Sequence, residues 1–192
     1  MRILRIGAQD DLLADLENSY DGLWQIMGRD YPSVPWLLLK AQCKQESRFN
    51  PVAVSPTGPV GIFQFARATW ADYNPDDPLG KLRTDIYRAS LTAFRYLSDL
   101  LVVVARHGFS GDDLLRAALG AYNQGQGRLL QMQSQADADG LDPRLWESIL
   151  EVAVPVMVAA YGVNDGPKKA QEMQDYIVNI LGYFHAYQEA IA

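Results

Sequence analysis

Glu46 is the side chain in this sequence whose type and spacing best suit proton transfer. It follows Leu39 and Cys43 at intervals that place all three within about a third of a helix circumference, at about 100° per residue. A carboxyl group that continues an apolar stripe loses hydration. That penalises its charged form and raises its pKa, the preparation a general acid needs near neutral pH. The plainer reading is a solvated glutamate at a fraying helix end. Other chemistries have less to work with. Cys43 is the single cysteine, so no internal disulfide is possible, and with only His107 and His185 beside it a dedicated zinc site is not expected. No metal and no cofactor is predicted, and both histidines read as helix-surface residues.

The elements that must hold Glu46 are helical. Leu12, Leu13, Leu16, Tyr20, Leu23, Trp24 and Met27 recur every three or four residues, predicting an amphipathic helix of about 18 residues. Residues 34 to 47 form a second helix with Pro35 suited to its first turn. From Phe49 to Gly61 the prolines at 51, 56 and 59 and Gly58 mark a loop. A long helix over 84 to 107 starts at Thr84 with Asp85 in its first turn. Ser110-Gly-Asp-Asp113 matches a capping box and opens a helix to Tyr122. Asp142-Pro143 starts another, and a last helix spans about Lys168 to Ala190 with Met173, Tyr176, Ile177, Ile180, Leu181, Phe184 and Tyr187 on one broad face. No stretch alternates with a period of two, so the fold class is mainly α.

Composition bounds the partners. The 192 residues are 48% hydrophobic and 21% charged, as in globular domains, and suffice for one core. One domain over 1–192 is expected, with 1–32 as a helical extension. With 17 Lys and Arg against 23 Asp and Glu, the net charge is -6 and the pI near 4.8, so nucleic acid is discounted as a partner. Recognition of an anionic polymer would rest on short-range contacts in a groove. The longest apolar run, Val152 to Tyr161, holds Pro155 and is too short to span a bilayer, so no membrane insertion is expected. Charges among the first eleven residues come too early for a secretory signal, so a cytosolic start is predicted.

Three segments extend the reading. Glu46-Ser-Arg-Phe-Asn-Pro51, Ser55-Pro-Thr-Gly58-Pro-Val-Gly61-Ile-Phe-Gln64 and Ala121-Tyr-Asn123-Gln-Gly125 resemble, in order, the signatures of soluble lytic transglycosylases, which share the goose-type lysozyme fold. Glu172-Met-Gln-Asp-Tyr176-Ile177 is similar to that family's late Glu-Thr-x-x-Tyr-Val element, so the resemblance covers roughly 33–185. It implies that Glu46 is the catalytic acid and base and that Ser47 packs beside it to help hold a sugar. Gly61 and Gln64 would line the cleft, with Gly58 and Gly61 letting backbone approach the sugar. Tyr122 would orient Glu46, Asn123 would contact the sugar at the cleavage point, and Tyr176 would close the far wall. Phe63 is grouped with the cleft residues while a core role stays open, whereas Phe65 is read as core. Taken singly, Tyr122 and Tyr176 are ordinary buried tyrosines and Gln64 a loop residue. Trp36, Trp70 and Trp146 are read as packing. The family usually has Gly-Leu-Met-Gln where this chain has Gly-Ile-Phe-Gln, and Ala where it has Gln124, changes that bear on the shape of the sugar subsites.

Glycosidases ordinarily flank the scissile bond with two carboxyl groups. Between Glu46 and Asp72 this chain has none. That fits the family's mechanism, in which one glutamate acts as acid and then base. The expected activity is a peptidoglycan lytic transglycosylase, cutting between N-acetylmuramic acid and N-acetylglucosamine to leave 1,6-anhydro ends. The alternatives are a water-using muramidase with Asp72, Asp76 or Asp77 as second carboxylate, and a non-catalytic wall-binding or virion protein. The expected partner is the glycan strand, met by a monomer. A phage-type endolysin stored in the host cytosol until it reaches the wall is the expected setting, with a virion-associated enzyme as the alternative.

Overall fold

A computed structural model describes residues 16–192. The expectations for Leu12, Leu13 and the N-terminal charges lie outside the described residues. The helices are α1 (Asp21–Met27), α2 (Trp36–Ser47), α3 (Arg67–Tyr73), α4 (Ile86–Arg106), α5 (Gly111–Gln124), α6 (Gln126–Ala138), α7 (Trp146–Tyr161) and α8 (Gly166–Ile191). Between them, among the described residues, extended pairing is limited to isolated bridges. The chain is mainly α, as its periodicity predicts. It divides into two compact units, one of residues up to 96 together with 180–192 and the other of 97–179.

The first unit is built around Trp24. Its indole is fully buried and donates from Nε1 to Ser90 Oγ at 2.8 Å, so the one polar atom of the ring is satisfied. Phe63 and Phe49 pack with ring centroids 6.0 and 6.4 Å away. Leu38 and Leu39 of α2 are fully buried beside Ala41 and Cys43, and each leucine stabilises the fold by about 1.5–3 kcal/mol through area removed from water. The amphipathic helix expected to run unbroken toward Met27 is interrupted: a turn at Ser19 and Tyr20 separates residues 16–18 from α1. Asn18 there accepts a bond from Lys40 Nζ at 2.8 Å, a long-range contact that the local periodicity does not encode.

α4 starts two residues later than Thr84. Asp85 lies outside the helix and its Oδ1 accepts from Arg88 N at 2.8 Å, so it caps the first turn.

In the second unit, α7 packs on α6 and α6 on α5. Gly120 is required by close packing, since a Cβ there would stand 2.9 Å from the Trp146 ring. Ser110 occupies the N-cap of α5 but makes no side-chain cap bond. The expected capping box does not form because Asp113 is engaged elsewhere, accepting from Trp146 N at 3.2 Å and Arg116 Nη1 at 2.9 Å. Helices α3 and α6 went unanticipated in the sequence.

Candidate active site

Glu46 stands in the last turn of α2 and is half-buried. The stripe leading to it is dry, with Leu39 and Cys43 fully buried. Burial pushes the Cys43 thiol well up, and the charge of Glu46 adds to that push, so the carboxylate is felt by the thiol one turn before it. Ser47 is also half-buried, and its Oγ donates to the Cys43 carbonyl at 3.4 Å, directing the hydroxyl back along the helix.

The chain then reverses abruptly. Arg48 takes a left-handed conformation at φ 52° and Phe49 follows at 64°. Arg48 N closes the helix on Lys44 O at 3.1 Å, and Phe49, 3% exposed, anchors the reversal in the Trp24 cluster. Gln64, at φ 47°, is the third non-glycine residue with positive φ among the described residues. Non-glycine residues in this region cost of order 1–3 kcal/mol each and persist where surrounding structure over-determines them, commonly at functional sites. All three lie in the segment that follows Glu46.

That segment is tied to itself. Gly61 N donates to Ala53 O at 2.9 Å and Ser55 N to Pro59 O at 2.9 Å. Gln64 Nε2 donates to Gly61 O at 2.7 Å and Ala53 O at 3.2 Å, so the amide of this expected cleft residue holds the loop. Gly61 sits at φ 87°, and a Cβ there would fall 2.1 Å from the Arg83 carbonyl oxygen. The glycine is needed for the close approach of the protein's own backbone at Arg83. Gly58, at φ 106°, has open space where its Cβ would be. Arg83 is a positioning residue that sequence reasoning missed: its Nη1 donates to Phe65 O at 3.0 Å and Gly58 O at 3.4 Å, bridging both ends of the loop. No local signal in the sequence marks so distant a tie.

The Phe63 ring is fully buried against Trp24, which favours the core role that its sequence position leaves open. Phe65, at 2% exposure, is core as expected, and Trp70 and Trp146 are packing residues.

The acid-bearing helix is held from its opposite flank by charge and aromatic contacts. Lys40, 4% exposed, donates to Asp21 Oδ2 at 2.7 Å and Asn18 Oδ1 at 2.8 Å, with its ammonium 4.9 Å from the Tyr187 ring centroid. Lys44 Nζ donates to Glu17 Oε1 at 2.8 Å and lies 4.9 Å from the Tyr183 ring. The Tyr187 hydroxyl donates to the same Glu17 oxygen. Burial pulls the Glu17 pKa up, but the Lys44 and Tyr187 bonds and the two ammonium charges outweigh it and hold Glu17 below the usual carboxylate value.

The carboxylates available to a water-activating mechanism are mostly committed. Asp77 is buried and accepts from Trp70 Nε1 at 3.1 Å, Leu82 N at 2.7 Å and Lys81 N at 3.1 Å. Burial alone would raise its pKa, yet those three donors hold it below the ordinary value. Asp76 pairs with Arg88 at 2.6 Å, and Asp72 is exposed. Among the described residues no three His, Cys, Asp or Glu side chains gather as metal ligands. No helix among them is long and apolar enough to cross a membrane.

The remaining expected site residues belong to the second unit. Tyr122 is half-buried and Asn123 exposed in the last turn of α5, which Gly125 ends at φ 84°. Gln124 Nε2 donates to Asn123 Oδ1 at 2.6 Å, so the amide oxygen of Asn123 has a partner from its own chain neighbour. Tyr176, on α8, is only 5% exposed.

Comparison with known families agrees with this framework, since the Transglycosylase SLT domain matches residues 24–142. The chain belongs to the SLT family. The SLT match starts at Trp24, inside the span read as an N-terminal extension, and takes in Glu46, the tied loop and Asn123. The membrane-bound lytic murein transglycosylase F of Desulfosudis oleivorans is 32% identical over 157 residues, covering 78% of this chain and 32% of that protein. The peptidoglycan transglycosylase gp16 of Escherichia phage T7 is 37% identical over 132 residues, covering 66% of this chain and 9% of gp16. A further transglycosylase F, from Erwinia tasmaniensis, is 24% identical over 190 residues, or 94% of this chain and 37% of the relative. The SLT chain thus spans little more than a third of these curated relatives, or less.

Proposed function

We propose that this SLT chain is a peptidoglycan lytic transglycosylase, with Glu46 as acid and then base. Protonated Glu46 gives its proton to the glycosidic oxygen as the C1–O bond breaks and the N-acetylglucosamine side departs. The substrate's own N-acetyl oxygen bonds to C1 and stabilises the positive charge. Ionised Glu46 then takes the proton of the C6 hydroxyl while O6 attacks C1 and displaces the acetamido oxygen. Acid is restored, no water is consumed, and the muramoyl end is a 1,6-anhydro sugar. General acid and base action of this kind contributes about 10²–10⁴-fold.

The observation that carries the reading is the distribution of carboxylates. No Asp or Glu lies between Glu46 and Asp72, and Asp76 and Asp77 are held in an ion pair and a buried donor cluster. A hydrolase needs a second group to work on water. In this reading Ser47, Gly61, Gln64, Tyr122, Asn123 and Tyr176 are the glycan-binding residues. The chain is one catalytic domain, the protein works as a monomer, and it is a phage lysis enzyme kept in the host cytosol until it reaches the wall.

The test is mass analysis of muropeptides released from purified wall by the wild type and by Glu46→Gln. Anhydro-muramoyl products, one water lighter than hydrolysed ones, and their loss in the variant are expected. Only reducing muramic ends would establish the muramidase instead, and undiminished lysis by the variant would remove Glu46 from the chemistry. Recovery of the protein from purified virions would replace the free lysis enzyme with a virion-borne one.

A further inference from the structure

The loop that follows Glu46 is gripped from outside by a short stretch of chain, residues 77–83, between α3 and α4. The stretch begins on a buried carboxylate. Asp77 accepts from the Trp70 indole and from the main-chain N–H groups of Leu82 and Lys81, so the turn that leads to Arg83 is folded onto a fixed point. Gly80 lies buried within that turn at φ 68°, and a Cβ there would stand 2.6 Å from Arg83 Nε. Its missing side chain lets the guanidinium lie across the turn, with Nε donating to Gly80 O at 3.1 Å. From there Nη1 reaches Phe65 O and Gly58 O, 18 and 25 residues away in sequence, while the Arg83 carbonyl meets Gly61. The Phe65 ring is seated against Trp70 with centroids 5.9 Å apart, so Trp70 touches both the start of the stretch and the end of the loop.

We propose that residues 77–83 are a brace that holds the 53–65 loop in its glycan-binding conformation, with Arg83 as the positioning residue and Asp77 as the anchor. The proposal rests on the reading that Gly61 and Gln64 of this loop bind the glycan. Arg83 acts through the loop and does not touch the sugar. Without its guanidinium the carbonyls of Gly58 and Phe65 lose a shared donor, and a loop held by fewer bonds spends less time in any one conformation. Apparent affinity falls in proportion to the population of the competent conformation. Glu46 stands on α2, which Lys40 and Lys44 tie down through separate contacts, so the brace acts on binding rather than on proton transfer.

Arg83→Ala and Gly80→Ala, singly and together, test the brace. Without substrate, Arg83→Ala should speed hydrogen exchange at the Gly61 and Ser55 amides, which donate to Ala53 O and Pro59 O, about ten-fold more than at Ala41 and Cys43 of α2. Unaltered loop exchange, or equal acceleration in α2, would overturn the proposal, the latter because it reports loosening of the whole unit. On peptidoglycan strands Arg83→Ala should raise KM about ten-fold with kcat within about two-fold of wild type, as for a competent loop populated about a tenth as often. A lower kcat at unchanged KM is what mere loss of folded protein produces, and would overturn it too. Gly80→Ala should raise KM in the same direction, yet add nothing in the Arg83→Ala background, where no guanidinium is left to displace. Additive effects of the two substitutions would separate Gly80 from Arg83 and refute the brace. Failure of the wild type to release anhydro-muramoyl products would sink the proposed function, with the exchange measurement still deciding whether the brace holds the loop.

Discussion

Gly61→Ala should damage the loop after Glu46 through steric contact, and Gly58→Ala supplies the control. Both glycines have positive φ, at 87° and 106°, so both substitutions bear the dihedral cost of about 1–3 kcal/mol. Only at Gly61 does the new methyl meet backbone, with the Arg83 carbonyl oxygen 2.1 Å away and the Arg83 carbonyl carbon at 3.0 Å. Neither atom is at the free end of a side chain, so the 53–65 loop or the chain at Arg83 must move, at an overpacking cost of about 2 kcal/mol. For a chain of this size that extra cost corresponds to about 4–8 °C in melting temperature. Paired thermal melts by circular dichroism read the difference directly, because the dihedral contribution is common to both variants. Melting of the two variants within about 1 °C of each other would refute the close approach of Arg83 and the role assigned to Gly61.

Lys40→Met should destabilise by about 3 kcal/mol, since it leaves Asp21 without its 2.7 Å partner in a largely buried position; a denaturant midpoint equal to wild type would contradict that. Glu17 is held below its ordinary 4.5, so its contribution to stability is complete above that value and disappears as the pH falls through the lower folded pKa. Glu17→Gln should therefore flatten the loss of stability on acidification below about pH 4.5, and an unaltered slope in urea midpoints across that range would count against the network. Gln124→Ala frees Asn123 Oδ1 from its 2.6 Å donor, and should raise KM for glycan by up to about five-fold with kcat little altered, as befits one exposed hydrogen bond. A fixed KM would show that Gln124 does not orient the amide.

Periodicity made the long helices legible because each presents one continuous apolar face, as α4 and α8 do. It failed on α6, where Leu129, Met132 and Ala136 keep a helical spacing but are interleaved with Gln131, Gln133 and Gln135 behind two glycines. Gln133 is nonetheless interior, donating to His107 O at 2.8 Å and Pro143 O at 3.1 Å. Polar side chains satisfied by distant carbonyls cannot be recognised from local pattern. The same limit explains Ser110 and Asp113, whose local capping signal loses to a bond with Trp146 N. Beside Glu46, the buried stripe of Leu39 and Cys43 was legible from its spacing. The left-handed backbone at Arg48, Phe49 and Gln64 was not, because no glycine announces it. The role of Phe63 stays open in the sequence because a motif position says nothing about which way a ring turns, and Trp24 draws it inward.

The clasp on Lys40 and Lys44 has a bearing on how short a working fragment can be. Asn18, Asp21, Tyr183 and Tyr187 all fall outside 24–142, the stretch recognised as the family's own. A protein trimmed to that stretch would retain Glu46 yet lose the groups that neutralise and cradle the Lys40 and Lys44 ammonium groups, one of which is almost wholly enclosed in the full chain. What defines kinship here is thus smaller than what can stand alone, and the outlying segments behave as struts of the helix that carries the acid rather than as ornaments to it.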